Sequence, residues 1–143
     1  MNIKIFFLYN VLSNIFFSLK RQRKGKRKLN EVKKLSVLIV ANYEISLNSY
    51  ILCLQNFGAE TLGVTNGFMS FNIHDKTQMR FDLILMSSNM PIMDGFFFDY
   101  KATKKLRTMG ITTMIVGIIT PDDNEEYHKK IMEAGLMNAM RSH

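Results

Sequence analysis

A doubly wound parallel sheet flanked by helices is predicted by three features of this chain. Short apolar runs rich in β-branched residues recur from residue 35 onward, and they are apolar enough to be buried on both faces. Segments of helical length separate them, several closed by a glycine. Each run stops abruptly at polar or turn-forming residues, most sharply in 81–95, FDLILMSSNMPIMDG. Strands alternating with single helices make right-handed βαβ units, and such sheets place their chemistry at the carboxyl ends of the strands.

Composition narrows the function classes. The chain has 143 residues, about one domain's worth, and 47% of them are apolar. Cys53 is the only cysteine, which excludes an intrachain disulfide and fits a reducing compartment. His74, His128 and His143 are scattered without ligand spacing, so a zinc site is not expected. The net charge of +7 is local: residues 1–30 hold eight basic side chains and no acid, while the rest of the chain has 11 basic against 12 acidic. A near-neutral remainder does not support a basic DNA-binding domain.

Two units follow, an extension over 1–30 and a domain over 31–143. Residues 1–19 are rich in Ile, Leu and Phe but interrupted by Asn2, Lys4, Asn10, Ser13, Asn14 and Ser18. They are marginal for a membrane span, whereas Ile5, Leu8, Leu12, Ile15, Phe16 and Leu19 fit one face of an amphipathic helix. The cationic run 20–28, KRQRKGKRK, stands where a signal peptide would need a small-residue cleavage site. It reads as a solvated linker, with a nuclear import signal or an anionic-surface binder as sharper alternatives. Membrane contact of residues 1–28 is the less favoured reading, and the expected location is cytoplasm, nucleus or both.

Residues 35–40, LSVLIV, are the expected first strand. The turn 41–44 leads into a helix over 45–57, with Ile45, Ile51, Leu54 and Phe57 as core candidates and Gly58 at its end. Cys53 within it is expected in the core or at its boundary. A short strand is expected over 60–64, a helix opened by Asn66-Gly67 over 68–76, and the third strand over 81–86. A helix after Gly95 runs to Met109, with Phe98, Ala102, Leu106 and Met109 on one stripe and Gly110 as its stop. Residues 112–119 form a β-branched fourth strand. Pro121 and Asp122-Asp123 start a helix carrying Lys129 and Lys130 in its last turns and stopped by Gly135, an arrangement suited to the helix dipole. Residues 136–140 complete a fifth strand. Phe96-Phe97-Phe98 cannot all face a core, so Phe96 or Phe97 is expected at the surface. The eleven methionines read as gap-filling side chains.

From about residue 35 to 143 the chain resembles the receiver domains of two-component response regulators. The resemblance rests on Val37–Val40, Asn66-Gly67, Phe81–Met86, Met90–Gly95, Met114–Gly117 and Met132–Gly135, in order and in spacing. Lys104–Arg107, Met114–Gly117 and Asp123–Glu126 resemble the short, single-domain regulators of plants, the kind that belongs to cytokinin-type phosphorelays. The resemblance implies a flavodoxin-like fold, with a last helix for which residues after the fifth strand leave no room. The chain is therefore expected to be truncated before that helix, and the apolar stretch 3–19 is a candidate to cover the face it would occupy.

The resemblance also implies a site. In an active receiver an acidic pair after the first strand holds Mg²⁺, an aspartate after the third accepts phosphate from a phosphohistidine, and a Thr or Ser and a Lys contact the phosphoryl oxygens. A carboxylate with a pKa near ~3.9 is ionised at neutral pH. The hard cation takes its oxygens, and cation and lysine neutralise charge in the transition state. Here the acidic pair falls on Ala41 and Asn42, the acceptor on Ser87, the Thr/Ser position on Ile119 and the lysine on Ser142, followed by His143. Thr120 is one step off and so on the other face. Asp82 and Asp94 are read as structural, with Asp94 a remote substitute acceptor. The expectation is a receiver without its Mg²⁺ site, not an enzyme, that binds a histidine phosphotransfer protein without accepting phosphate. The alternatives are residual phosphoryl acceptance and an adaptor targeted by its N-terminal segment.

Overall fold

The computed structural model describes residues 13–19, 21, 34–87, 98–119 and 138–141. Residues 13–19 and 21 are helical and belong to a helix α1. The alternating part follows as β1 (Ser36–Val40), α2 (Glu44–Asn56), β2 (Glu60–Val64), α3 (Gly67–Thr77), β3 (Leu83–Ser87), α4 (Phe98–Thr108), β4 (Met114–Ile119) and β5 (Asn138–Arg141). The strands form one parallel sheet in the order β2-β1-β3-β4-β5. This is the flavodoxin-like order, and the expected fold class holds. The helix expected over 121–135, the turn 90–95 and Phe96-Phe97 lie outside the described residues.

The apolar runs form strands because both of their faces are covered. Val37 and Ile39 of β1, Leu83 and Leu85 of β3, and Val116 and Ile118 of β4 enter one core layer with Leu47, Cys53 and Leu54 of α2. Leu38, Val40, Ile84, Met86 and Ile115 enter the other, with Ala102 and Leu106 of α4. The alternation follows from the two-residue period of a strand. On the second face α3 and α4 pack side by side, and on the first α2 lies over β1 and β2. Phe16 of α1 belongs to that first layer, with Ile15 and Leu19 packed against it.

Two helices end the same way. After α2, Gly58 takes φ +81, its N–H bonds to Gln55 O at 2.9 Å, and Ala59 N–H bonds to Leu54 O at 3.1 Å. After α4, Gly110 takes φ +85 with Gly110 N to Arg107 O at 3.0 Å and Ile111 N to Leu106 O at 3.1 Å. Both are Schellman caps, and in each the apolar pair across the cap is buried. The Arg107 guanidinium fastens the second cap by donating to the carbonyls of Ile111 and Thr113 at 2.9 and 2.8 Å. Burial there lowers its pKa from the usual guanidinium range.

One expected core position is wrong. Ile45 is 84% exposed, and the inward face of α2 is instead Leu47, Cys53 and Leu54, with Ile51 and Phe57 partly buried. Apolar residues surround this helix, so its phase is set by the sheet beneath it. A Cβ at Gly63 of β2 would stand 3.0 Å from both Leu47 Cδ1 and Ile51 Cδ1. The missing side chain is what admits these two residues against the strand. Among the described residues no helix is long and apolar enough to cross a membrane.

Candidate functional site

The carboxyl edge of the sheet gathers the strand ends singled out in the sequence. Val40 pairs with Met86, so the residues that follow, Ala41 and Ser87, leave neighbouring strands side by side. Adjacent strands lie about 4.8 Å apart. Ser87 is in register with Ile118, and Ile119 with Arg141 of β5. Ala41, Asn42, Ser87 and Ile119 thus line one edge across β1, β3 and β4, at the point where the strand order reverses. Ser142, Thr120 and Asp94 lie outside the described residues.

Their environments differ. Ala41 is buried in the α2-side layer, and its N–H donates to Val64 O at 3.0 Å, adding a rung to the ladder beyond the end of β1. Asn42 and Ser87 are half-buried. By alternation Ser87 follows Leu83 and Leu85 on the α2 side, the same side as Ala41. Beneath this edge on the other side, buried Thr103 of α4 lies against Met86, its Oγ1 at 3.5 Å from Sδ. The side chains at the ends of β1 and β3 offer a methyl, an amide and a hydroxyl. A hard divalent cation is held by carboxylate oxygens, and this set contains none. Among the described residues no three His, Cys, Asp or Glu side chains come together as a metal site.

Asp82 sits at the opposite edge. Its Oδ2 accepts from Ser36 N at 2.8 Å and from Ser36 Oγ at 3.3 Å, tying the start of β3 to the start of β1. The length of β3, roughly 16 Å at 3.3 Å per residue, separates it from the carboxyl edge. The structural reading of Asp82 is therefore the one its contacts support.

Large exposed side chains, not anticipated from sequence, flank the carboxyl edge. Tyr43 and Ile45 follow β1, and Phe68 and Met69 follow β2; all four are exposed. Tyr43 is the N-cap residue of α2, with extended backbone and no side-chain cap, and its carbonyl accepts from Leu47 N at 2.8 Å. Asn66 caps α3 by accepting from Met69 N at 2.9 Å. Both helices begin at this edge, so the residues of their first turns are held at its rim. No local signal separates Ile45 from Leu47, since both are apolar residues of the same first turn and Leu47 is buried. Leu52, two turns beyond Ile45 on the outer face of α2, is also exposed but lies away from this edge.

Neither Cys53 nor His74 belongs to this edge. Cys53 is buried inside α2, where desolvation pushes its thiol pKa up. His74 is buried in α3, with Nδ1 2.7 Å from Ser70 O and its ring edge-on to Phe81.

No family model matches the chain. It is 38% identical over 117 residues to the two-component response regulator ARR22 of Arabidopsis thaliana, covering 80% of each chain. It is 38% identical over 103 residues to two-component response regulator 24 of the same plant, covering 72% of this chain and 70% of that one. Among solved structures, the chemotaxis protein CheY4 of Vibrio cholerae superposes with a TM-score of 0.64 at 22% identity, over 76% of this chain and 87% of that one. At that identity the superposition speaks for the fold alone.

Proposed function

The chain belongs to the two-component response regulators, as a receiver of the short plant kind, and from that premise we propose that it is a receiver that binds without accepting phosphate. The observation that carries the reading is the set of side chains at the carboxyl edge. Ala41 and Asn42 stand where the family holds its metal-binding acids, and Ser87 stands where it holds the acceptor aspartate. A neutral hydroxyl is a poor nucleophile without a base, and no carboxylate at these positions supplies one. Ile119 and Ser142 stand at the positions of the hydroxyl and ammonium groups that contact the phosphoryl oxygens. On this reading the chain uses no Mg²⁺ and carries out no phosphoryl chemistry.

What remains is a binding module. A histidine phosphotransfer protein is the partner this reading names, within a His-to-Asp phosphorelay of the cytokinin type. The exposed Tyr43, Ile45, Phe68 and Met69 support it, because apolar and aromatic side chains beside a polar edge are the make-up of a docking surface. The location proposed is cytoplasm, nucleus or both, with the cationic run 20–28 read as a solvated linker and a nuclear import signal as its alternative.

The decisive experiment incubates the full chain with a small phosphodonor and Mg²⁺ and reads its intact mass. No added phosphate is expected. A stoichiometric adduct would overturn the proposal in favour of residual acceptance. A parallel titration with an unphosphorylated histidine phosphotransfer protein should show saturable binding that Ile45→Asp weakens at least tenfold. Absence of binding would sink the module reading even if no adduct forms.

A further inference from the structure

Two adjacent phenylalanines of α1 have opposite environments. Phe16 is 3% exposed and stacks on Phe57, with ring centroids 5.5 Å apart and planes at 26°. Phe17 is 64% exposed and carries the Arg21 guanidinium 5.1 Å above its ring. A helix therefore lies on the α2 side of the sheet with one face engaged. Phe57 stands at the end of α2, and Cys53, 4% exposed, lies one helical turn before it on the same stripe. The layer it covers reaches beyond α2, which packs over β1 and β2, to Leu83 and Leu85 of β3 and Val116 and Ile118 of β4. Among the described helices, only α1 joins α2 in this layer.

The two sides of this contact are unequal. Strands β1 and β3 bury almost every side chain, whereas among the described residues 13–19 Phe16 is the one that is fully buried. A single helix packed on a sheet through one of its faces opens at a lower free energy than strands covered on both faces. By sequence, residues 22–33 join the helical residue Arg21 to the stretch leading into β1. At about 3.3 Å per residue that connection is long enough to let the helix leave while it stays tethered.

We propose that residues 13–19 are a detachable cover helix. They close an apolar groove beside Cys53 and Phe57 and vacate it in a local opening that leaves the sheet folded. The occupant of the groove is this chain's own N-terminal segment, and Cys53, as the sole cysteine, reports on its departure.

The test is the rate of Cys53 alkylation in the full chain across low urea. Through a local opening, the rate should depend only weakly on urea below the unfolding transition, since little surface is exposed. Phe16→Ala should raise the rate in buffer roughly tenfold or more, because it removes a deeply buried anchor. Phe17→Ala, the same deletion one residue on, should change it less than about twofold. Equal effects of the two substitutions would overturn the proposal. So would labelling of the unsubstituted chain whose urea dependence matches that of global unfolding, a readout that decides the matter even if Phe16→Ala fails to fold.

Discussion

Asp82, at the amino edge of the sheet, shows how a single carboxylate can register two strands. It accepts from the backbone N–H and the hydroxyl of Ser36, and so aligns β1 and β3 at their starts. Charge-assisted bonds of this kind contribute more than neutral ones. Asp82→Ala should lower the unfolding free energy by about 1–3 kcal/mol, read as a shift in urea midpoint with unchanged slope. Burial raises the pKa of two further groups, the Tyr50 phenol and the Cys53 thiol. A raised pKa means that the folded state holds its proton where the unfolded chain has lost it. Stability is then complete below the ordinary thiol and phenol ranges, near ~8.5 and ~10, and falls as pH climbs through them. The double variant Tyr50→Phe, Cys53→Ala should flatten the alkaline limb of a melting-temperature profile. An unchanged limb would show that neither group titrates as the folded environment requires. His74 adds a different strain: no described residue partners its Nε2, although its other nitrogen is bonded.

At the scale of elements, helix ends carry the argument. Gly58 and Gly110 hold left-handed conformations with open space where a Cβ would be. The cost of a side chain there is therefore backbone strain alone, and Gly58→Ala should destabilise by roughly 1 kcal/mol. The end of α3 is the mirror case. Gln78 holds φ +58, the one non-glycine with positive φ among the described residues. Gln78→Gly should relieve that strain and raise stability by some fraction of ~1 kcal/mol, less the contact of its amide with Asp75 O. A thermal melt of the two variants side by side tests the sign of each. If both destabilise, the α3 end is held by its side chain and not limited by its backbone.

For the molecule as a whole, ligand linkage gives the broadest test of the proposed function. A folded state that binds Mg²⁺ is stabilised in proportion to the logarithm of ligand excess over Kd. With a methyl, an amide and a hydroxyl at the strand ends, addition of millimolar Mg²⁺ or of a chelator should leave the melting temperature unchanged. An upward shift with Mg²⁺ that EDTA reverses would reveal an oxygen set elsewhere along the edge. Charge is also distributed at this scale: the basic residues in excess lie within 1–30, so binding to any polyanion should fall steeply with salt and vanish without that segment.

Much of this architecture was legible in the residues themselves. The strand runs, the glycine stops at 58 and 110, the Asn66 cap and the Ala102–Leu106 stripe depend on local periodicity and backbone preference, which a sequence carries directly. So does the chemistry of the strand ends, because a methyl, an amide and a hydroxyl are fixed by residue identity wherever they lie. Tertiary structure decided what depends on the far side of a contact. It turned Ile45 outward and Leu47 inward on a helix apolar all round, because Gly63 leaves room for Leu47 on the neighbouring strand. It buried His74 against Phe81, and it separated Phe16 from Phe17, one into the core and one into solvent. In each case the local pattern allowed two faces, and only the surface of a distant element, brought close by the chain's path, selected between them.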